Sequence, residues 1–271
     1  MQEIDLIAAA SGARRMVEIQ WGGGTPNILN AEQFGRVIER LRQRFDVSGV
    51  AHHAMEIDPR YIDKAKAAAY AAGGVNRASL GVQDLYEHVQ GAIGRGQALE
   101  AAGYVAIGID HYARESDELA QAATASTLTR SFQGYVVEHA DALIGFGASA
   151  ISTYPQGYAQ NLAEPGAWGR AVADGHLPIA RGHALQGDDD VRRRLIMQIM
   201  CDFTGDLAPM GGAAACRAEI AALRPMIEDG FVAIDGDRIL VSEAGRPFCR
   251  LVARAFDSYA GGAPARHSRA V

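Results

Sequence analysis

Over the first third of the chain, apolar positions come in short β-rich runs separated by stretches with helical spacing. Residues 16–21 (MVEIQW) read as a strand that runs directly into Gly22-Gly23-Gly24. Phe34, Val37, Ile38, Leu41 and Phe45 then recur at helical spacing over 31–45, with Asn30 placed to cap that helix. Residues 48–58 read as a second strand, 61–72 as a second helix and 75–81 as a third strand. A third helix is expected from Asp84 to about residue 102, stopping at Gly103, with a fourth strand over 104–109. Strand–helix alternation at this rhythm predicts a parallel sheet, as an α/β barrel or an open doubly wound sheet.

From Ala113 the pattern changes. A helix is expected over 115–128, a Gly-, Ser- and aromatic-rich stretch over 131–155, and a largely helical remainder. Asp188, Asp189 and Asp190 stand where a helix N-terminus favours negative charge. Residues 231–241, with Asp235-Gly236-Asp237 at the centre, predict a β-hairpin. The expected division is therefore 1–112, an α/β part, and 113–271, a mainly helical part containing a hairpin.

Composition narrows the function classes. The net charge of −6 over 271 residues supplies no cationic footprint for nucleic acid or anionic lipid. Cys201, Cys216 and Cys249 are 15 and 33 residues apart, with no CxxC or CxxxCxxC. Sparse cysteines and the lack of an apolar leader or spanning stretch predict a soluble, cytoplasmic protein.

Candidate chemistry collects at strand ends. Gly22–Gly24 followed by Thr25-Pro26 permits close backbone approach to a carboxylate or phosphate, although an isolated glycine run more often makes a tight turn. Alternation puts Glu56 and Asp58 on one face and Met55 and Ile57 on the other. Asp58 suits a helix cap ahead of Pro59, which leaves Glu56 for function. Gln83 and Asp84 end the third strand, and Asp110-His111 the fourth. The Gly loop, Glu56, Gln83 and Asp110 thus share the C-terminal rim of successive parallel strands, where α/β folds bind ligands. His52 and His53 face opposite ways and cannot hold one metal together, and Arg192–Arg194 read as a solvated helix face.

The segments WGGGTPNIL (21–29), EIDPR (56–60), NRASLGVQD (76–84), GIDHYARESDEL (108–119), SFQGY (131–135) and GFGASAIS (145–152) resemble, in order, those of oxygen-independent coproporphyrinogen III oxidases. YAQN (158–161) and the helix over 188–203 extend the match through most of the chain. These are radical SAM enzymes of haem biosynthesis. The resemblance implies a partial radical-SAM (βα) barrel of reduced strand number, two S-adenosylmethionine molecules near a [4Fe-4S] cluster, and a mainly helical C-terminal domain. It implies cofactor contacts at Gly23, Gly24, Thr25, Glu56, Gln83, Arg95 and Ile107. The implied reaction is oxidative decarboxylation of coproporphyrinogen III, in which a 5′-deoxyadenosyl radical abstracts a β-hydrogen from each of two propionates. A tetrapyrrole substrate, an electron donor and a monomeric state are implied, and no nucleic acid or membrane partner.

Two departures qualify the resemblance. The family's CxxxCxxC belongs ahead of GGGTP and does not occur in the sequence. Several βα units are absent between Gly96-Gln97 and Ala98-Leu99. The chain is therefore expected to be an N-terminally truncated, internally deleted copy, inactive alone. The alternatives are a non-catalytic remnant with weak S-adenosylmethionine or tetrapyrrole binding, and a winged-helix DNA-binding module over 221–244.

Overall fold

In the computed structural model of the chain, the described residues are 1–12, 15–80, 103–109, 111–131 and 134–260. In chain order the elements are α1 (Gln2–Ser11), β1 (Glu18–Trp21), α2 (Ala31–Arg44), β2 (His52–Ile57), α3 (Lys64–Ala72), β3 (Arg77–Leu80), β4 (Tyr104–Ile107), β5 (His111–Arg114), α4 (Glu118–Thr124), β6 (Thr129–Ser131) and β7 (Gly134–Val136). They continue with β8 (Ile151–Tyr154), β9 (Gly157–Asn161), α5 (Pro165–Ala173), β10 (Ile179–Ala184), α6 (Asp189–Asp202), β11 (Thr204–Asp206), α7 (Arg217–Ala222), α8 (Arg224–Glu228), β12 (Val232–Asp235), β13 (Arg238–Val241) and α9 (Cys249–Ala255). The described residues form two compact units, 1–80 with 138–184, and 103–137 with 185–260. This grouping cuts across the expected division at residue 113.

The first unit is built on the expected parallel sheet, in order β1-β2-β3. Asn30 caps α2 in a reciprocal capping box: its side chain accepts from the Gln33 N–H, and the Gln33 side chain accepts from the Asn30 N–H. Phe34, Ile38 and Leu41 of α2 and Tyr70 of α3 pack with Met55 of β2, so both crossover helices cover one face of the sheet. The same unit contains an antiparallel sheet in order β10-β9-β8. Three donors converge on the buried Glu3 of α1: the Gly147 N–H, Asn161 Nδ2 and Trp168 Nε1, at 2.8, 2.8 and 3.0 Å.

The second unit holds two short hairpins, β4-β5 and β6-β7, and a three-stranded antiparallel sheet in order β11-β13-β12. The predicted hairpin is β12-β13, and Gly236 supplies the positive φ of 57° that its turn requires. Leu195 and Ile199 of α6, Ile239 of β13, and Val252 and Phe256 in and after α9 form its apolar core.

Three expectations change. The predicted fourth strand exists as β4, but it pairs antiparallel with β5, because Gly108 (φ 60°) allows a tight reversal after Ile107. From Ala113 onward the chain is mixed rather than mainly helical, since strands of three to six residues alternate with the helices and leave little periodicity to read. Asp58 caps the short 3₁₀ turn Pro59–Tyr61, and α3 has its own cap in Asp63. The predicted helix from Asp84 to residue 102 lies outside the described residues, as do Asp110 and the join after Gln97.

Candidate functional site

Strand register builds the site. Glu18 lies opposite His52, Gln20 opposite Ala54 and Trp21 opposite Met55 across β1 and β2. Ala54 then lies beside Arg77 and Glu56 beside Ser79 across β2 and β3. Because Met55, Trp21 and Ile57 face the helices, alternation turns Glu18, Gln20, His52, Ala54, Glu56, Arg77 and Ser79 to the opposite face. That face is polar on every strand. Burial raises the Glu18 carboxyl above its ordinary range, with the Arg77 charge pulling the other way. His52 pairs with Glu138. His53 points to the helix side, where its Nε2 accepts from Trp21 Nε1 at 2.7 Å. The two histidines therefore do face opposite ways.

At the C-terminal rim, Trp21 is level with Met55, so the Gly22–Thr25 loop leaves β1 beside Glu56. Gly23 and Gly24 have φ of 74° and 58°, where other side chains are strained, and a Cβ on either would meet nothing within 4 Å. The glycines are thus required by backbone conformation, and both are exposed among the described residues. Glu56 is half-buried and has no hydrogen-bond or ion-pair partner among the described residues. A carboxylate without a counterion beside exposed glycine N–H groups suits a ligand carrying both a cationic or hydroxyl group and an anionic one. Thr25 follows the glycines, half-buried, and its carbonyl accepts from the Ile28 N–H at 3.0 Å.

The other predicted contacts are placed differently. Gln83 and Arg95 lie outside the described residues. Ile107 belongs to the second unit, 1% exposed in a core with Ala113, Leu128 and Tyr135. Asp58 has left the strand face and pairs with Arg60. Arg192, Arg193 and Arg194 are ion-paired to Asp188, Glu219 and Asp190, so this basic run is locally neutralised. Sequence reasoning missed Glu18, Arg77 and Asn27. The first two were legible as the polar members of the alternations EIQW and RASL, whereas Asn27 has no pattern signal.

The cysteines do not suit an iron–sulfur cluster. All three are buried, Cys216 and Cys249 in one apolar core and Cys201 in another. Burial pushes the Cys201 thiol up to about 12 and raises that of Cys216, which opposes the thiolate form that iron requires. Among the described residues no three His, Cys, Asp or Glu side chains converge as metal ligands, and no helix is long and apolar enough to cross a membrane.

No family model matches the chain. It is 34% identical to the oxygen-independent coproporphyrinogen III oxidase of Bradyrhizobium diazoefficiens, covering 99% of this chain and 81% of the relative. It is 30% identical to the protein of that name from Paracoccus denitrificans, covering 96% and 78%. The first alignment runs over 364 positions although the chain has 271 residues, so at least 93 positions lie opposite gaps in this chain. Among solved structures, the coproporphyrinogen III oxidase of Escherichia coli, a radical SAM enzyme, matches with a TM-score of 0.83 at 28% identity, covering 95% of this chain and 81% of that one. The chain belongs to the oxygen-independent coproporphyrinogen III oxidase family.

Proposed function

We propose that the rim formed by Gly23, Gly24, Thr25 and Glu56 binds S-adenosylmethionine, with Gln83 and Arg95 as the further contacts implied by family resemblance. The carrying observation is the half-buried Glu56 carboxylate, unpartnered among the described residues, beside the positive-φ glycines. The glycine N–H groups are suited to the methionyl carboxylate and Glu56 to the ammonium or a ribose hydroxyl. In the family to which the chain belongs the reaction is oxidative decarboxylation of coproporphyrinogen III, and bound S-adenosylmethionine would supply its radical chemistry only on receiving one electron from a reduced cluster. The sheet β1-β2-β3 with α2 and α3 is read as the first part of a barrel, with its polar face turned inward.

The buried cysteines favour a narrower reading for the chain by itself, namely cofactor binding without turnover. Calorimetry with S-adenosylmethionine tests the rim: measurable binding that Glu56→Gln weakens supports it, and tight binding indifferent to Glu56 overturns it. Anaerobic incubation with iron and sulfide tests the second point. A stable cluster spectrum with substrate-dependent S-adenosylmethionine cleavage would overturn it.

A further inference from the structure

We propose that Asn27 is the positioning residue of this rim: its side chain locks the loop after β1 to the loop after β2, and so sets the glycine N–H groups against the Glu56 carboxylate. The proposal rests on the rim being the S-adenosylmethionine site. Asn27 is 0% exposed and sits in the 3₁₀ turn Pro26–Ile28. A buried carboxamide must satisfy donor and acceptor together, and here one residue satisfies both. Asn27 Nδ2 donates to the Asp58 carbonyl at 2.8 Å, and the Asp58 N–H donates to Asn27 Oδ1 at 3.0 Å. This closed pair of bonds does the work of a β-ladder where the strands have already ended. Two residues back from the clamp on one side is Thr25, and two back on the other is Glu56.

Helix α3 grips the same turn from below. Lys66 Nζ donates to the Asn27 carbonyl at 3.0 Å, and the Tyr70 hydroxyl donates to the Leu29 carbonyl at 2.7 Å. The turn is thus fixed to the loop after β2 through Asn27 and to α3 through Lys66 and Tyr70, while Gly23 and Gly24 remain exposed. Alanine at 27 would strand the Asp58 N–H, and an ionised aspartate would face the Asp58 carbonyl. A protonated aspartic acid, by contrast, copies the carboxamide, donating through its hydroxyl and accepting through its carbonyl.

The test uses the full chain with Asn27→Ala and Asn27→Asp. In Asn27→Ala, amide exchange at Ile28 and Leu29, whose N–H groups close the turn, should quicken about tenfold or more while Met55 in β2 is unchanged. S-adenosylmethionine affinity should fall about tenfold, less than additively with Glu56→Gln. In Asn27→Asp, turn protection and affinity relative to the unsubstituted chain should recover as pH falls and the carboxyl gains its proton, burial favouring the neutral form and the Lys66 ammonium on the same residue's carbonyl opposing it. Unchanged exchange at Ile28 and Leu29, acceleration spread evenly over the first unit, or an Asn27→Asp chain insensitive to pH would overturn the proposal. If the unsubstituted chain does not bind S-adenosylmethionine, the cofactor reading fails, and the exchange measurement still decides the role of Asn27.

Discussion

The two units bury different kinds of residue. Of the six buried polar residues among those described, Glu3, Asn27, His53, Ser152 and Asn161 lie in the first unit and Asp189 alone in the second. The large core of the second unit, from Leu195 to Phe256, is apolar throughout. Apolar burial contributes stability roughly in proportion to area and tolerates small shifts. Buried polar groups contribute little net stability when satisfied and cost much when not, but they fix one geometry. Both units thus have an apolar core, and the unit that carries the candidate rim adds to its packing most of the buried polar residues and their specific hydrogen bonds. A ligand that must meet a carboxylate and two glycine N–H groups at once needs the geometry that such bonds fix.

The largest effect that tests this contrast is in the second unit. Phe256 is fully buried, and Phe256→Ala should cost about 3–5 kcal/mol through lost transfer energy and a cavity. Both tryptophans, Trp21 and Trp168, are in the first unit, so their fluorescence reports on that unit alone. Denaturation followed by circular dichroism should shift strongly in this variant, and tryptophan fluorescence should shift less. Coincident shifts would break the contrast.

Next comes Glu3→Ala in the first unit. It removes the acceptor of three N–H donors, two of them side chains, and leaving buried donors unmade should cost roughly 2–3 kcal/mol. Trp168 emission should move in step with the loss of stability. Glu3→Gln keeps an acceptor oxygen and should cost less, which separates the lost bonds from the lost volume.

How much was legible beforehand follows the same division. Residues 31–45 disclosed α2, its cap and its buried face, because a helix repeats its signal every 3.6 residues. The Asp-Gly turn disclosed β12-β13 for a similarly local reason. The antiparallel pairing of β4 was not legible, because the residues that decide it are the glycine after Ile107 and a partner strand only four residues long. At the site, Glu56 and the glycines stood out by strand-end position. The Asn27–Asp58 clamp did not, since it joins a side chain to a main chain 31 residues away and leaves no pattern in either segment.

A smaller effect concerns pH. Burial, with the nearby Arg42 charge, depresses the His53 imidazole from 6.5 to about 4. His53 is therefore neutral in the folded chain while an unfolded chain binds its proton near 6.5, so this site destabilises the fold as pH falls from about 6.5 towards about 4. Above that window it contributes no slope. His53→Gln should flatten the acid limb of first-unit stability, read by Trp21, whose indole N–H donates to His53. An unchanged acid limb would show that carboxylates elsewhere dominate it.

The smallest expected effect falls on the residue that looks most engaged. Asp58 holds Arg60 through three side-chain hydrogen bonds and accepts from the Arg60 N–H, and this contact keeps its carboxyl below the ordinary range. Yet Arg60 is exposed, and exposed ion pairs contribute little net stability. Asparagine caps a helical turn as well as aspartate does. What the rim uses is the Asp58 main chain, gripped by Asn27. Asp58→Asn should accordingly leave the denaturation midpoint and S-adenosylmethionine affinity unchanged within error, whereas Asn27→Ala, which touches the same residue from the other side, should weaken that affinity about tenfold. Calorimetry and urea titration of the two variants side by side check this. A large loss in Asp58→Asn would mean that the Asp58 carboxylate itself takes part in the site, and would return it to the strand-end face where alternation first placed it beside Glu56.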